Sequence, residues 1–296
     1  MSLFKSKTSF LLSLFLYTLI LTGLLLYFRF PAEKFKTYCE VNLSKLMPGT
    51  ECSIDRIHYS FPCSLAAETI RISSNKLNKQ EFFTIEQALI SPDISALTSQ
   101  LQVKLSAFAG IHTFSLMLGP EEKEFTLKDI QINNLDPSRI PFLGQATKRK
   151  IVGNVDGSGH YHGIWKNGKY SADGAGQITL QKGSFSLLLP IFSLNSIDLK
   201  KLTSNFVLKE NTLECSNGTF YGQELKGSFS GSLALKPTLE AATLSFKGAL
   251  EPLPPLLKKN THAKKMLLLL KKQSKRGTVP FLLKGTVQKP SFKFES

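Results

Sequence analysis

The sequence has 296 residues, 42% of them hydrophobic, and its 37 basic side chains against 22 acidic ones give a net charge of +15. That apolar content argues against wholesale disorder, and the length admits one large domain or two. The basic excess points to an anionic partner, nucleic acid or a membrane surface, and the position of the charges decides between them.

The stretch "FLLSLFLYTLILTGLLLYF", Phe10 to Phe28, holds no charged residue. At a 1.5 Å rise its nineteen residues span roughly 28 Å, close to the hydrocarbon thickness of a bilayer. Lys5 and Lys7 precede it, and Arg29, Lys34 and Lys36 follow. The flanking charges barely differ, so the expected orientation is a short tail kept inside and a long C-terminal domain exported. A cleaved signal peptide needs a shorter apolar core and small residues at its cleavage site, which "LLLYFRFPAEKF" lacks. The expected organisation is a cytoplasmic tail over 1–8, a transmembrane anchor over 9–30 and an exported domain over 31–296.

Cys39, Cys52 and Cys63 lie near the anchor, and Cys215 stands far along the chain. Four cysteines allow three pairings. A Cys52–Cys63 bridge across a hairpin is mildly preferred in an oxidising compartment, and burial as small hydrophobes is at least as good a reading. There is no Cys-x-x-Cys on which to found a structural zinc.

After Pro31, "AEKFKTYCEVNLSKLM" spaces Phe35, Cys39, Leu43 and Leu46 as a helix does, and Pro48-Gly49 stops it. Short-period strands follow in "CSIDRIHYSF", "AETIRISS" and "FFTIEQALI". "SPDISALTSQ" reads as a brief helical crossover. Strands resume in "LQVKLSAFAG", "IHTFSLMLG" and "EFTLKDIQI". "LDPSRIPFLGQATKRK" opens on Asp-Pro and is expected to form a short corner helix. From Ile151 to Gly248 the strands are punctuated by glycine, which suits antiparallel meanders and lets a long sheet bend. The closing "VPFLLKGTVQKPSFKF" places Val279, Phe281, Leu283, Gly285 and Val287 on one face. After Pro290 it changes phase to Phe292 and Phe294, and it is expected to be an edge strand bent at the Lys-Pro step.

One basic helix is expected over about 254–276, in "PPLLKKNTHAKKMLLLLKKQSKRG", carrying Lys258, Lys259, Lys264, Lys265, Lys271 and Lys272 without an acid. It either rests on anionic headgroups or, the favoured reading, caps the open end of the sheet with its leucines. Nucleic acid is not an expected partner, because the charge lies on the exported side and is not interleaved with aromatics. No catalytic motif emerges. "GSFSG" centres on Phe229 where a nucleophile elbow has serine, and "GSGHYHG" lacks dinucleotide spacing. His160 and His162 project from one side of a strand but lack a third ligand, so ordinary surface residues are the better reading. No enzyme activity, metal or cofactor is expected.

The single span, the short helix ending in "PGTECSI", the blocks "GNVDGSGHYHG" and "GTFYGQELKGSFSGSL", and the terminal "LKGTVQKPSFKF" resemble the type II secretion system protein N family, and more distantly AsmA-like proteins. The resemblance covers nearly the whole chain and supplies no catalytic residue. It implies a mainly β fold: one transmembrane helix, then a long, curved antiparallel sheet forming a groove, with a few short helices. It also implies a single-pass protein of the bacterial inner membrane with a periplasmic domain, acting as a non-catalytic accessory of type II secretion through other secretion proteins. The alternative is a lipid-binding or lipid-transfer module. Its candidate groove is lined by Phe229, Leu233, Leu235, Leu244, Phe246, Leu283 and Val287, with the bilayer and bound phospholipid as partners.

Overall fold

The computed structural model describes residues 3–46, 49–61, 63–74, 81–93, 100–119, 124–166, 169–191, 194–259 and 278–295. The chain divides into two compact units, Met1–Ser95 and Ala96–Ser296. Both are built mainly on antiparallel meanders in which sheet order follows chain order.

The first unit begins with helix α1, Leu3–Arg29, and helix α2, Ala32–Leu46, and continues into strands β1 (Thr50–Ser60), β2 (Ser64–Ser74) and β3 (Glu81–Pro92). The described apolar side chains of α1 are exposed: Phe10, Leu12 and Phe15 are 69, 73 and 68% exposed. Among the described residues no helix is long and apolar enough to cross a membrane.

Helix α2 ends where Pro48-Gly49 was expected to end it, and it covers the outer edge of β1. Edge strands present unpaired N–H and C=O groups that need partners. Here Ser44 Oγ accepts from the Cys52 N–H at 3.1 Å, and Glu40 Oε1 accepts from the Ile54 N–H at 2.8 Å. Lys36 Nζ donates to the Asp55 carbonyl at 3.4 Å. Residues 36, 40 and 44 are spaced by four, which puts them on one helix face. In the sheet itself, the buried row Ile54–Ile70–Ile85 changes phase to Ile57–Ala67–Ala88, in which Ile57 and Ala88 are buried and Ala67 is half-buried. Thr69, at φ +49°, lies where that change occurs.

The β1–β2 hairpin overturns the mild preference for a Cys52–Cys63 bridge. Cys52 pairs with Ile72 near the start of β1, whereas Cys63 lies beyond Ser60, where the hairpin closes. The intervening strand separates them by roughly 26 Å, against the ~7 Å limit for Cα atoms joined by a disulfide. All four thiols are free. Burial, and then the Glu40 carboxylate, push the Cys39 and Cys52 thiols above their ordinary range.

The second unit holds β4 (Gln100–Ala107), β5 (Gly110–Leu118), β6 (Glu124–Leu135), β7 (Ile151–Lys166), β8 (Lys169–Ile191) and β9 (Leu194–Lys209). These are followed by β10 (Thr212–Gly222), β11 (Leu225–Ala234), β12 (Thr243–Pro252), β13 (Val279–Thr286) and β14 (Pro290–Phe294). The expected corner helix is two pieces. A 3-10 turn at Pro137–Arg139 is capped by Asp136, which accepts from the Ser138 N–H at 2.9 Å, and helix α3 follows over Pro141–Thr147. Helix α4, Pro254–Lys259, opens the expected basic helix; its continuation lies outside the described residues, as do residues 94–99 of the expected helical crossover.

The terminal segment is a hairpin where one bent edge strand was expected. Phe281 pairs with Phe294, Leu283 with Phe292 and Gly285 with Pro290. Odd positions therefore face even ones across a tight turn, and this produces the change of phase at the Lys-Pro step. Gly285 sits at φ +101° beside that turn, a conformation glycine adopts without a Cβ penalty.

Candidate functional site

Residues paired directly across antiparallel strands share a face of the sheet. In the second unit one row of pairs runs through every strand. It starts Leu101–Leu116–Leu127 on β4–β6 and passes through Tyr161, Gly174 and Leu208 on β7–β9. It ends Leu213–Leu233–Leu244 on β10–β12, against Gly285 and Pro290. The row contains no charged side chain. Its neighbour on the opposite face starts Gln100–Met117–Thr126–His162, continues through Asp173 and Lys209, and ends in Thr212–Ala234–Thr243–Thr286. The sheet is thus amphipathic across its whole width. Ten inter-strand spacings from β4 to β14 make that width roughly 48 Å.

A second regularity governs this apolar face: phenylalanines sit across from glycines. Phe229 lies between Gly218 and Gly248, Phe246 faces Gly231, and Phe206 faces Gly176. A Cβ added at Gly218 would stand 2.6 Å from the Phe229 ring, and one at Gly176 would stand 2.7 Å from the Phe206 ring. The rings therefore lie down over their glycine neighbours, as aromatics do where glycine leaves a hole in a sheet. Phe220, Phe229 and Phe246 form a chain of tilted contacts with centroids 6.5 and 6.2 Å apart. The glycines, expected as bending points, serve as seats for these rings.

Of the seven groove residues expected from sequence, Phe229, Leu233, Leu244, Phe246 and Leu283 come together on this face, all half-buried. Leu235 and Val287 lie just past the ends of β11 and β13, where their N–H groups donate to Asn211 and Ala242 carbonyls. Sequence reasoning confined the face to β11–β13 and missed its continuation across β4–β10. The alternation in "LQVKLS" and "TFSLML" carried that signal.

One end of the face is covered. Leu256 of α4, 1% exposed, joins Leu225, Leu250, Val279 and Phe281 in a buried cluster, with Leu257 packed beside it. The other leucines of the expected cap helix, Leu267 to Leu270, lie outside the described residues. Lys258 is exposed, the Lys259 side chain is not described, and Lys264, Lys265, Lys271 and Lys272 lie outside the described residues. A small cleft of about 400 Å³ adjoins α4, lined by Lys200, Tyr221, Gln223, Glu224, Leu253 and Pro254.

His162 meets Thr126 Oγ1 at 3.1 Å through Nδ1 and Glu124 at 3.8 Å through Nε2, so it has a carboxylate neighbour that the sequence did not reveal. Among the described residues, however, no group of three or more His, Cys, Asp and Glu side chains could hold a metal ion. No family model, curated protein or solved structure matches this chain.

Proposed function

We propose that this chain is a non-enzymatic, membrane-anchored lipid-handling module whose apolar sheet face carries acyl chains. The observation that carries this reading is the uncharged row running through all eleven strands of the second unit, backed by a polar row on the opposite face. Apolar surface is worth about 25 cal/mol per Å² when removed from water. A half-buried face of this width gains by taking up acyl chains, which need width and no directional partner. The charge-free Phe10–Phe28 helix serves as a single-pass anchor in the bacterial inner membrane, with both units' strands on the periplasmic side. The sheet bends around its bound chains to form a groove, and α4 closes one end.

Native mass spectrometry of the full chain, extracted and purified in mild detergent, tests this directly. The expected result is retained phospholipid on the wild type and its loss in Phe246→Asp, which sets a carboxylate beside Phe229 and Leu283. A wild-type chain that never retains phospholipid overturns the reading. The sequence blocks favour a second reading, an accessory of type II secretion acting through protein contacts. A gene neighbourhood encoding a secretin and pseudopilins would support it.

A further inference from the structure

In an antiparallel meander every second turn falls on the same rim. In the second unit the last residues of β5 and β7 and the first residues of β6 and β8 therefore lie on one rim, and α4 follows β12 at the opposite rim. Where the apolar face reaches the first of these rims it ends in large, exposed side chains. Leu118, Trp165 and Tyr170 are 59, 40 and 40% exposed. Phe125 and Tyr161 stand behind them, with Phe125 paired to both Leu118 and Gly163.

This cluster is fixed in place by its own packing. The Trp165 and Tyr170 rings are 5.1 Å apart, and those of Phe125 and Tyr161 are 5.9 Å apart. The Tyr161 and Tyr170 hydroxyls share a hydrogen bond of 2.5 Å. Both pairs close over Gly163, where a Cβ would stand 2.6 Å from the Tyr170 hydroxyl and 2.8 Å from the Phe125 ring. Each exposed aromatic thus offers an apolar body with a polar tip, the property that concentrates Trp and Tyr at membrane interfaces. Other turns on this rim carry the exposed Lys209, Lys236 and Lys289 together with Glu210 and the half-buried Glu240, and Glu124 opens β6 there, a mixed polar border around the aromatic cluster.

We infer that this rim inserts into the headgroup–acyl boundary of a phospholipid bilayer and is the mouth through which acyl chains pass onto the apolar face. The inference rests on the lipid-handling reading above and adds to it where loading takes place. Loading enters at the Trp165 rim and runs toward the end that α4 closes.

Trp165 is the only tryptophan in the chain, so intrinsic fluorescence reports on the rim without labelling. The full chain is reconstituted into phosphatidylethanolamine–phosphatidylglycerol vesicles, with and without lipids brominated along their acyl chains. The expected result is blue-shifted emission quenched about twofold or more by the brominated lipids, as for an interfacial indole. Water-like emission that bromine leaves unquenched overturns the inference. A second chain carrying Trp165→Phe and Tyr221→Trp moves the reporter to the end of β10, on the opposite rim, and should stay unquenched. Equal quenching there removes the rim's special status and also overturns the inference. Quenching of Trp165 should vanish on transfer to detergent with bound lipid retained. If it persists, the quencher is a bound lipid and not the bilayer, which counts against insertion. Retained phospholipid with an unquenched Trp165 discards the mouth and leaves the lipid-handling reading standing. Quenching by the bilayer in a chain that retains no phospholipid discards both.

Discussion

Across from Phe246, at the matching position on β11, stands Gly231, where a Cβ would come within 2.9 Å of the ring. The same relation at Phe206, Phe220, Phe229 and Phe281 gives each glycine a steric reason to remain glycine. Gly248→Ala would put a methyl 2.2 Å from the Ser228 carbonyl oxygen and 2.6 Å from the Phe281 ring. The expected cost is about 1–3 kcal/mol, typical of overpacking, read as a lowered denaturant midpoint. Gly144, in α3, has nothing within 4 Å of an added Cβ, so Gly144→Ala should be neutral or stabilising by up to about 1 kcal/mol. Thiol reactivity separates residues just as sharply. Cys63 is exposed, whereas Cys52 is buried, and burial and then Glu40 push its thiol above the ordinary range. Maleimide at neutral pH should label Cys63 in the folded chain and reach Cys52 only on unfolding, and peptide mapping under non-reducing conditions should find no Cys52–Cys63 link. The sequence displayed both the glycines and the phenylalanines. Which glycine seats which ring depends on register, and register shifts such as that between Cys215 and Gly218 are invisible in a list of residues.

Helix α2 and strand β1 form the clearest pairing of elements in the first unit, because the helix supplies what the strand's outer edge lacks. Glu40→Ala removes the acceptor of the Ile54 N–H. A buried donor left unsatisfied costs roughly 1–3 kcal/mol. Amide exchange at Ile54 and Cys52 should accelerate in that variant while exchange along β3 stays unchanged; uniform acceleration would mean that α2 supports the whole unit. The existence of α2 was legible from the spacing of Phe35, Cys39, Leu43 and Leu46 and from its Pro-Gly stop. Its role was not, because Lys36, Glu40 and Ser44 read as an ordinary solvent face until β1 is laid beside them. The terminal hairpin teaches the complementary lesson. The change of phase around Pro290 was visible in the sequence, but a bent strand and a tight hairpin produce the same change. Only the pairing of Leu283 with Phe292 distinguishes them. The buried position of Leu256 was legible in the leucine pair of "PPLLKK". Leu256→Ala should cost about 2–5 kcal/mol as a cavity substitution, lowering the unfolding midpoint without changing which lipid is retained.

At the scale of the molecule, the alternation of apolar and polar positions announced a mainly β chain, and the meander order confirms strands paired with their sequence neighbours. What alternation could not show is that the apolar phases of successive strands align into one surface. A strand slipped by one residue would turn its leucines to the other face, and local sequence contains no protection against that beyond turn lengths and bulges. The aligned face is the basis of the proposed function, so the most direct measurement compares its two sides in the membrane. Photo-crosslinking residues are placed singly at Leu116, Leu233 and Phe246 on the apolar face and at Met117, Ser232 and Lys247 next to them on the polar face, in the full chain in native membranes. The prediction is phospholipid adducts from the first three positions and few or none from the second. Adducts absent from all six, or equally frequent on the two faces, would contradict a sheet that carries acyl chains on one side.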